Sequence, residues 1–243
     1  MLCHDRGDIM PGDWEALSKL IYSMYSELEI LERFDADNAY LISAYEFTER
    51  LWLKQFEKMP TVYCVILSEA PLFGSNKTYI YNSASAPTSF FFFNDLWAIN
   101  SGFSSATGHF RSVLERKEYM METMTKNGVL IMDIFPFAFN PQNTAIDYNS
   151  ISKTQYFRLL KESFPYYLLP KLQMIRGKNR VNPTFVYRYK RLLEQTGCYI
   201  ETELRQLTLL KPDAQLESIN GTNMPLDRTR LARIYEQAKA LAQ

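Results

Sequence analysis

The chain has 243 residues, of which 47% are hydrophobic and 14% aromatic. This is enough apolar material for a full core, so the composition argues against intrinsic disorder, and the length predicts one domain, or at most two small ones. The net charge is zero, which argues against strong non-specific DNA affinity, because that affinity grows with the phosphates neutralised. Residues 1–150 hold 11 basic and 19 acidic residues, whereas residues 151–243 hold 16 and 8. This asymmetry indicates a basic face in the second part, or a dipolar surface with no partner.

The cysteines and the apolar runs exclude several other classes of protein. Cys3, Cys64 and Cys198 lie far apart, which is neither a disulfide framework nor a zinc-binding spacing. No apolar run approaches the ~20 residues that a membrane-spanning helix needs. The first residues lack the apolar segment of a signal peptide, so we expect a cytoplasmic protein with no membrane partner.

An N-terminal helical segment is predicted from about residue 13 to residue 58. Asp13 is a plausible N-cap, and apolar residues follow it at steps of three and four. Asp35 or Asp37 is expected to cap a second helix, which ends before Pro60. The acidic residues of both helices are expected to form a solvated face.

Two apolar runs, each ending on an acid, predict neighbouring strands of a parallel sheet. Val62–Leu67 is rich in β-branched residues and is followed by Ser68-Glu69-Ala70-Pro71. Gly128–Phe135 contains Asp133 near its end. Residues 111–126 look helical and supply the crossover that parallel strands need. Because ligands bind at the carboxyl ends of such strands, Glu69 and Asp133 are candidate site residues.

The second half of the chain is predicted to be helical at residues 152–163. A helical face is expected from Pro183 to Gly197, and the last strands from Ile200–Leu210 and Gln215–Ile219. A loop at Asn220–Pro225 leads into a C-terminal helix with Asp227 near its start. The whole chain, residues 1–243, is therefore expected to be a single α/β domain.

In the two predicted strands and the residues that follow them, the chain resembles the uracil-DNA glycosylase superfamily. The resemblance covers roughly residues 45–140. Members carry a strand, a turn with an acidic or amide residue and a proline, and an aromatic residue that stacks on the extruded base. A second strand, Gly-Val followed by three apolar residues and Asn, reads the base edge. Glu69-Ala70-Pro71, Tyr81 and Gly128–Asp133 fall in those places. The resemblance implies a three-layer α/β/α fold with a short, mainly parallel sheet.

The resemblance further implies a DNA-base glycosylase, which hydrolyses the N-glycosidic bond of a flipped, damaged or deaminated base. Glu69 is then the catalytic carboxylate, with Ser68, Ala70, Pro71, Tyr81 and Asp133 around the base. Asp133 stands where the family has Asn, and an ionised Asp only accepts hydrogen bonds, so uracil specificity does not carry over. If the two acids lie close together, one has a raised pKa, and a protonated Asp133 would donate again.

The family's late loop, which enters the minor groove, often holds a His followed by Pro and Ser. The counterpart here, Asn220–Pro225, lacks that His, which removes one stabiliser of the departing base anion. We expect DNA contacts from this loop and from the helix after it, at Asn220, Thr222, Asn223, Arg228 and Arg230. Three cysteines exclude the iron–sulfur branch of the superfamily, and no metal or other cofactor is expected.

Plainer interpretations of the same residues remain open. Glu69 fits a turn residue that caps a helix, Tyr81 fits ordinary packing, and Asp133 fits a cap or ion-pair residue. The protein is alternatively a non-catalytic nucleic-acid or protein-binding module on the same fold, or an α/β enzyme acting on a small metabolite. The sequence lacks Gly-x-Ser-x-Gly, a phosphate-binding loop and a metal-spaced His/Cys cluster, which argues against the last alternative.

Overall fold

A computed structural model describes residues 12–85, 110–219 and 227–240. Its centre is a four-stranded sheet in which every strand pairing is parallel, in the order β2-β1-β3-β4. The strands are β1 (Cys64–Ser68), β2 (Val129–Asp133), β3 (Thr184–Tyr187) and β4 (Glu217–Ser218). The expected α/β class with a parallel sheet is therefore confirmed.

Seven α-helices lie in the described ranges. They are α1 (Trp14–Glu27), α2 (Phe34–Lys58), α3 (Val113–Lys126), α4 (Lys153–Ser163), α5 (Leu168–Lys178), α6 (Lys190–Gln206) and α7 (Arg228–Ala240). Single 3-10 turns at Leu31–Arg33 and Phe164–Tyr166 precede α2 and α5. None of these helices combines the length and the apolar character needed to cross a membrane.

The N-terminal helices form as predicted, but two of their acidic side chains are buried. Asp13 caps α1 by accepting a hydrogen bond from the Ala16 amide. The expectation that Asp35 or Asp37 caps the second helix is wrong, because both lie in the first turn of α2. Asp37 instead accepts hydrogen bonds from the Tyr25 hydroxyl (2.7 Å) and the Ala145 amide (2.6 Å). Buried acids of this kind need such partners, so the solvated-face prediction fails here.

Strands β1 and β2 are buried along their whole length, which explains their continuous apolar sequences. They pair in register from Cys64 opposite Val129 to Ser68 opposite Asp133. Gly128 precedes β2 with φ +62°, and a Cβ there would lie 2.3 Å from the Thr61 carbonyl oxygen. The second strand can therefore begin beside the first only with glycine at this position.

The region between residues 183 and 210 differs from its prediction. Thr184–Tyr187 is strand β3 rather than the start of a helix, because Phe185, Val186 and Tyr187 fill a buried position beside β1. Helix α6 then continues through Gly197, which is buried against Leu193 instead of ending the helix. The strand predicted at Ile200–Leu210 is therefore wrong, whereas Gln215–Ile219 does contain β4.

Candidate active site

The carboxyl ends of β1 and β2 bring two of the predicted site residues into contact. Ser68 and Asp133 are partners in the register of the two strands, and each is the last residue of its strand. The Ser68 hydroxyl donates a hydrogen bond of 2.5 Å to Asp133 Oδ1. A charge-assisted bond of this length fixes the orientation of the carboxyl group relative to the sheet.

Asp133 is held in a water-excluded environment. Its side chain is buried, and this burial raises the pKa of its carboxyl group from 3.8 to about 6. The Ser68 hydrogen bond, the Lys171 ammonium group and the Tyr79 hydroxyl act in the opposite direction, while Glu49 raises the pKa further. Asp133 therefore changes its charge near neutral pH, where an ordinary aspartate is fully ionised.

Glu69 follows Ser68 directly, in the bend after the end of β1. Its Oε1 accepts a hydrogen bond of 2.8 Å from the Tyr156 hydroxyl on α4, and its Oε2 lies 3.5 Å from the Arg191 guanidinium in the first turn of α6. The Glu69 side chain is 24% exposed. The carboxylate is thus oriented by two partners and still open to solvent.

The position of Glu69 coincides with the switch point of the sheet. The chain leaves β1 towards β2 on one side and leaves β3 towards β4 on the other, so the crevice lies between the carboxyl ends of β1 and β3. Glu69 comes from the first of these ends, and Arg188 and Arg191 come from the second. Burial lowers the pKa of Arg188 to about 10, and its guanidinium lies 4.3 Å from the centre of the Tyr189 ring.

Tyr148 lies within electrostatic range of both carboxyl groups. Its pKa is raised well above 10, first by burial and then by the negative charges of Glu69 and Asp133. Its hydroxyl donates a hydrogen bond of 2.8 Å to the Phe137 carbonyl oxygen. The negative charges of Glu69 and Asp133 therefore both act on Tyr148, in the loop after β2. The two acids nevertheless have separate hydrogen-bond partners.

Tyr81 occupies the edge of the sheet. Its hydroxyl accepts a hydrogen bond of 2.6 Å from the Ile131 amide and donates one of 3.2 Å to the Ile131 carbonyl oxygen, at the middle of β2. The side chain is 3% exposed and packs edge-on against Tyr79. Of the two turn residues predicted to line the site, Pro71 is buried and Ala70 is partly buried against the core.

The residues expected to contact DNA are only partly described. Asn220, Thr222 and Asn223 lie outside the described residues, and Arg228 is placed only as the first residue of α7. Arg230 forms an ion pair of 2.8 Å with Glu217 on β4, which Arg233 approaches at 3.8 Å. The start of α7 therefore lies beside β4, and the side chains of Arg230 and Arg233 are 37% and 58% exposed.

Several residues of this region escape sequence reasoning. Tyr156 and Arg191 join Glu69 from positions 87 and 122 residues away in the chain. The ion pair between Glu49 and Lys171 joins α2 to α5 across 122 residues. The only available signal for Arg191 is its place just after a strand, which required β3 to be recognised.

In the part of the chain that the structure describes, no group of three or more His, Cys, Asp or Glu side chains is arranged to hold a metal ion. Cys64 lies inside β1, and burial raises the pKa of its thiol to about 12, so it is not a reactive nucleophile. Comparison of the chain with protein-family models, with curated proteins and with solved structures finds no match in any of the three.

Proposed function

We propose that this chain is a DNA-base glycosylase with a three-layer fold of the uracil-DNA glycosylase type. In this proposal Glu69 is the catalytic carboxylate, and Asp133 reads the edge of the extruded base. DNA phosphates contact the residues that follow β3 and β4, among them Arg191 and Arg230. The protein would act without a metal or an organic cofactor.

One observation carries the proposal: the ends of two adjacent parallel strands present a solvent-accessible carboxylate beside a buried one. Glu69 is oriented by Tyr156 and Arg191 and is open to water, as a group that positions water must be. Asp133 is held in place by Ser68 and excluded from water, as a group that reads a base must be. The Arg191 side chain, which pairs with Glu69, adds positive charge at the same crevice, which favours an anionic substrate.

The chemistry balances with these groups alone. The N-glycosidic bond breaks, its electron pair leaves with the base, and the sugar becomes an oxocarbenium-like cation. The Glu69 carboxylate stabilises that cation and accepts a proton from the water that attacks C1′. The base anion takes up a proton from solvent, and an abasic sugar remains. Asp133 in its protonated form donates a hydrogen bond to the leaving base and lowers the barrier further.

The test is a screen for base release from labelled oligonucleotides that carry uracil, hypoxanthine, xanthine or an alkylated base. Single-stranded, matched and mismatched substrates are compared, and abasic sites are detected by alkaline strand cleavage. We expect release from at least one substrate, and a loss of about 100-fold or more in Glu69→Gln. Glu122→Gln on α3 removes an acid that is 68% exposed, and it should keep full activity.

The proposal fails if the wild-type chain releases none of these bases, or if Glu69→Gln is as active as the wild type. Circular dichroism and thermal unfolding of both variants establish that they are folded. An unfolded Glu69→Gln is replaced by Glu69→Asp, which keeps the charge but withdraws the carboxylate by one methylene group. That variant should retain its fold and still lose most of its activity.

A non-catalytic binding module on the same fold is the second candidate. It is favoured by Tyr81, which is only 3% exposed and whose hydroxyl is bonded to the β2 backbone, where the glycosylase reading needs a stacking surface. This candidate predicts salt-sensitive binding of oligonucleotides with no abasic product. Binding measured at two salt concentrations beside the release assay separates the two functions.

A further inference from the structure

Base stacking at the candidate site needs an aromatic ring that is open to solvent. Tyr81 does not meet this condition, because it is 3% exposed and its hydroxyl is bonded to the β2 backbone. The loop after β2 supplies other aromatic side chains close to the strand ends. One of them, Tyr148, combines exposure, a fixed position and a connection to Glu69.

Tyr148 is held in place by its neighbours in this loop. Its ring packs on the buried Phe135 ring with the ring centres 5.0 Å apart, and the Phe139 ring lies 5.1 Å away. Its hydroxyl donates a hydrogen bond of 2.8 Å to the Phe137 carbonyl oxygen. A side chain fixed in this way loses little conformational freedom when a flat ligand binds to it.

One intervening ring joins Tyr148 to the candidate catalytic carboxylate. The centre of the Tyr156 ring lies 6.1 Å from that of Tyr148. The Tyr156 hydroxyl in turn donates the 2.8 Å hydrogen bond to Glu69 Oε1. Tyr148 and Glu69 are therefore the two partners of Tyr156 that meet solvent, since both are partly exposed and Tyr156 is buried.

Exposure separates Tyr148 from most aromatic residues at these strand ends. The following described residues are buried and offer no open face: Tyr79, Tyr81, Phe135, Phe137, Tyr156 and Tyr187. Tyr189 is partly exposed, but the Arg188 guanidinium already lies 4.3 Å from the centre of its ring. Phe139 is also partly exposed, yet it reaches Tyr156 only through Tyr148.

Phe73, in the turn after Glu69, is a further partly exposed ring, but it belongs to a different cluster. Its ring centre lies 5.7 Å from that of Tyr40 and 5.6 Å from that of Phe47, both on α2. Tyr148 is thus the described aromatic residue best placed to receive a flat ligand beside Glu69.

The charged groups beside this ring favour a nucleotide as the ligand. The Glu69 side chain is 24% exposed and the Arg191 side chain is 56% exposed, so both reach solvent. A guanidinium group binds phosphate oxygens, and a carboxylate accepts hydrogen bonds from hydroxyl or N–H donors. Together with the face of a tyrosine, these groups match the phosphate, the sugar and the base of a nucleotide.

We propose that Tyr148 is the residue on which the base of a bound nucleotide stacks, with the sugar of that nucleotide directed towards Glu69. Tyr148 binds the ligand and takes no part in bond cleavage. The choice of a nucleotide as ligand rests on the proposed function. Stacking needs no reaction, however, so it is measurable in an inactive chain.

The test is fluorine-19 NMR of the chain labelled with 3-fluorotyrosine. The Tyr148 resonance is assigned through its absence in Tyr148→Phe, a variant that keeps the ring and should fold. The 5′-monophosphates of uridine, inosine and xanthosine are titrated in, with ribose 5-phosphate as the ligand that lacks a base. We expect each nucleotide to move the Tyr148 resonance, because a stacked base adds its ring current, and ribose 5-phosphate to leave it in place.

Tyr22 on α1 is the internal control, since it is 51% exposed and belongs to another aromatic contact, with Phe34. Its resonance, assigned through Tyr22→Phe, should not move with any nucleotide. A Tyr148 resonance that stays in place with all three nucleotides would overturn the proposal. Equal movement of the Tyr22 and Tyr148 resonances would overturn it as well, because the stacking would then be non-specific.

Affinity gives a second measure on unlabelled protein. Tyr148→Met replaces the ring by an apolar side chain without a flat face, and it should bind a single-stranded oligonucleotide about 10-fold more weakly in an anisotropy titration. Tyr148→Phe and the matched control Tyr22→Met should bind like the wild type. Unchanged affinity in a Tyr148→Met variant that is folded by circular dichroism would contradict the proposal. An unfolded Tyr148→Met leaves the decision to the resonance test, which needs only Tyr148→Phe.

The stacking role and the glycosylase activity fail separately. A chain that releases no base but whose Tyr148 resonance responds to nucleotides would end the glycosylase proposal and support Tyr148 as a nucleotide-binding residue. An active chain whose Tyr148 resonance does not respond would keep the activity and overturn the role of Tyr148.

Discussion

Asp133 and Glu69 stand at the ends of adjacent strands, yet their surroundings have little in common. Asp133 is buried and accepts a hydrogen bond from the Ser68 hydroxyl, and the Tyr79 hydroxyl lies at the same carboxyl group. Glu69 is partly exposed and held by Tyr156 and a half-exposed Arg191. One carboxyl group has a pKa raised by burial, and the other is positioned in contact with water.

The contrast shows that two acids at one edge of a sheet can differ in burial and in hydrogen-bond partners. The strand register places the last residues of β1 and β2, Ser68 and Asp133, side by side, and Glu69 follows in the bend after β1. Helices α2 and α5 then supply charges to the buried side, and α4 and α6 supply hydrogen-bond partners to the open side. Perturbations should therefore be large on the Asp133 side and small on the Glu69 side.

The largest effect on stability is expected from Lys117→Met, which removes three hydrogen bonds to the loop that carries Tyr79 and Tyr81. Lys117 Nζ donates to the carbonyl oxygens of Tyr79 (3.2 Å), Asn82 (2.5 Å) and Ser85 (2.8 Å). Without it these buried acceptors lose their donor, and we expect a loss of about 3 kcal/mol in the free energy of unfolding. Urea titration measures it, with Lys126→Met as a control that should stay within about 0.5 kcal/mol.

The next effect is a pH dependence that belongs to Asp133. Its pKa is about 6 in the folded chain and near 3.8 when unfolded, so the folded state binds the proton more tightly between these values. The contribution of Asp133 to stability is therefore present below pH 3.8 and is lost as the pH rises through about 6. Asp133→Asn should abolish this change.

The comparison is made between wild type and Asp133→Asn at pH 4 and pH 7.5. The difference in their unfolding free energies should move by on the order of 2 to 3 kcal/mol in favour of the variant at the higher pH. An identical difference in unfolding free energy at both pH values would contradict the raised pKa of Asp133. It would also remove this contrast between Asp133 and Glu69.

A smaller effect is expected on the open side, from Tyr156→Phe. The change deletes one hydroxyl and its 2.8 Å hydrogen bond to Glu69, while the ring stays packed against Phe135. We expect a loss of about 1 kcal/mol in stability and, in an active chain, a larger loss in kcat than in KM. A loss as large as that of Lys117→Met would erase the contrast between the two sides.

The smallest effect should follow from Arg191→Gln. The Arg191 side chain is 56% exposed and its guanidinium lies 3.5 Å from Glu69, so the pair contributes about 0 to 1 kcal/mol. The stability difference should shrink further in 0.5 M salt, because the pair is accessible to counterions. Under the proposed function, oligonucleotide affinity should fall more than stability does, because Arg191 lies beside Glu69.

The first two strands could be predicted because strands buried on both faces have continuous apolar sequences. Val62–Leu67 and Gly128–Phe135 needed no information beyond their own residues, and their acids followed from the chain direction. Strand β3 was missed because Phe185, Val186 and Tyr189 also fit a helical repeat, and its strand form depends on pairing with β1.

The partners of the two acids lay outside the reach of sequence reasoning for a different reason. A glutamate in a long helix is ordinarily solvated, and nothing near Glu49 in the sequence predicts its ion pair with Lys171. The pair exists because α2 and α5 meet in space. Tyr156 and Arg191 reach Glu69 in the same way, so the environment of each carboxyl group is a product of tertiary packing alone.

The double hydrogen bond between Tyr81 and Ile131 also bears on self-association. β2 is the outer strand of the described sheet, and an outer strand offers unpaired amide and carbonyl groups to any extended segment. The Tyr81 hydroxyl is hydrogen-bonded to both the amide and the carbonyl oxygen of Ile131. At the midpoint of β2 it thus makes the hydrogen bonds that an additional strand would make. At this position an added strand would have to displace the Tyr81 hydroxyl before it could pair with β2.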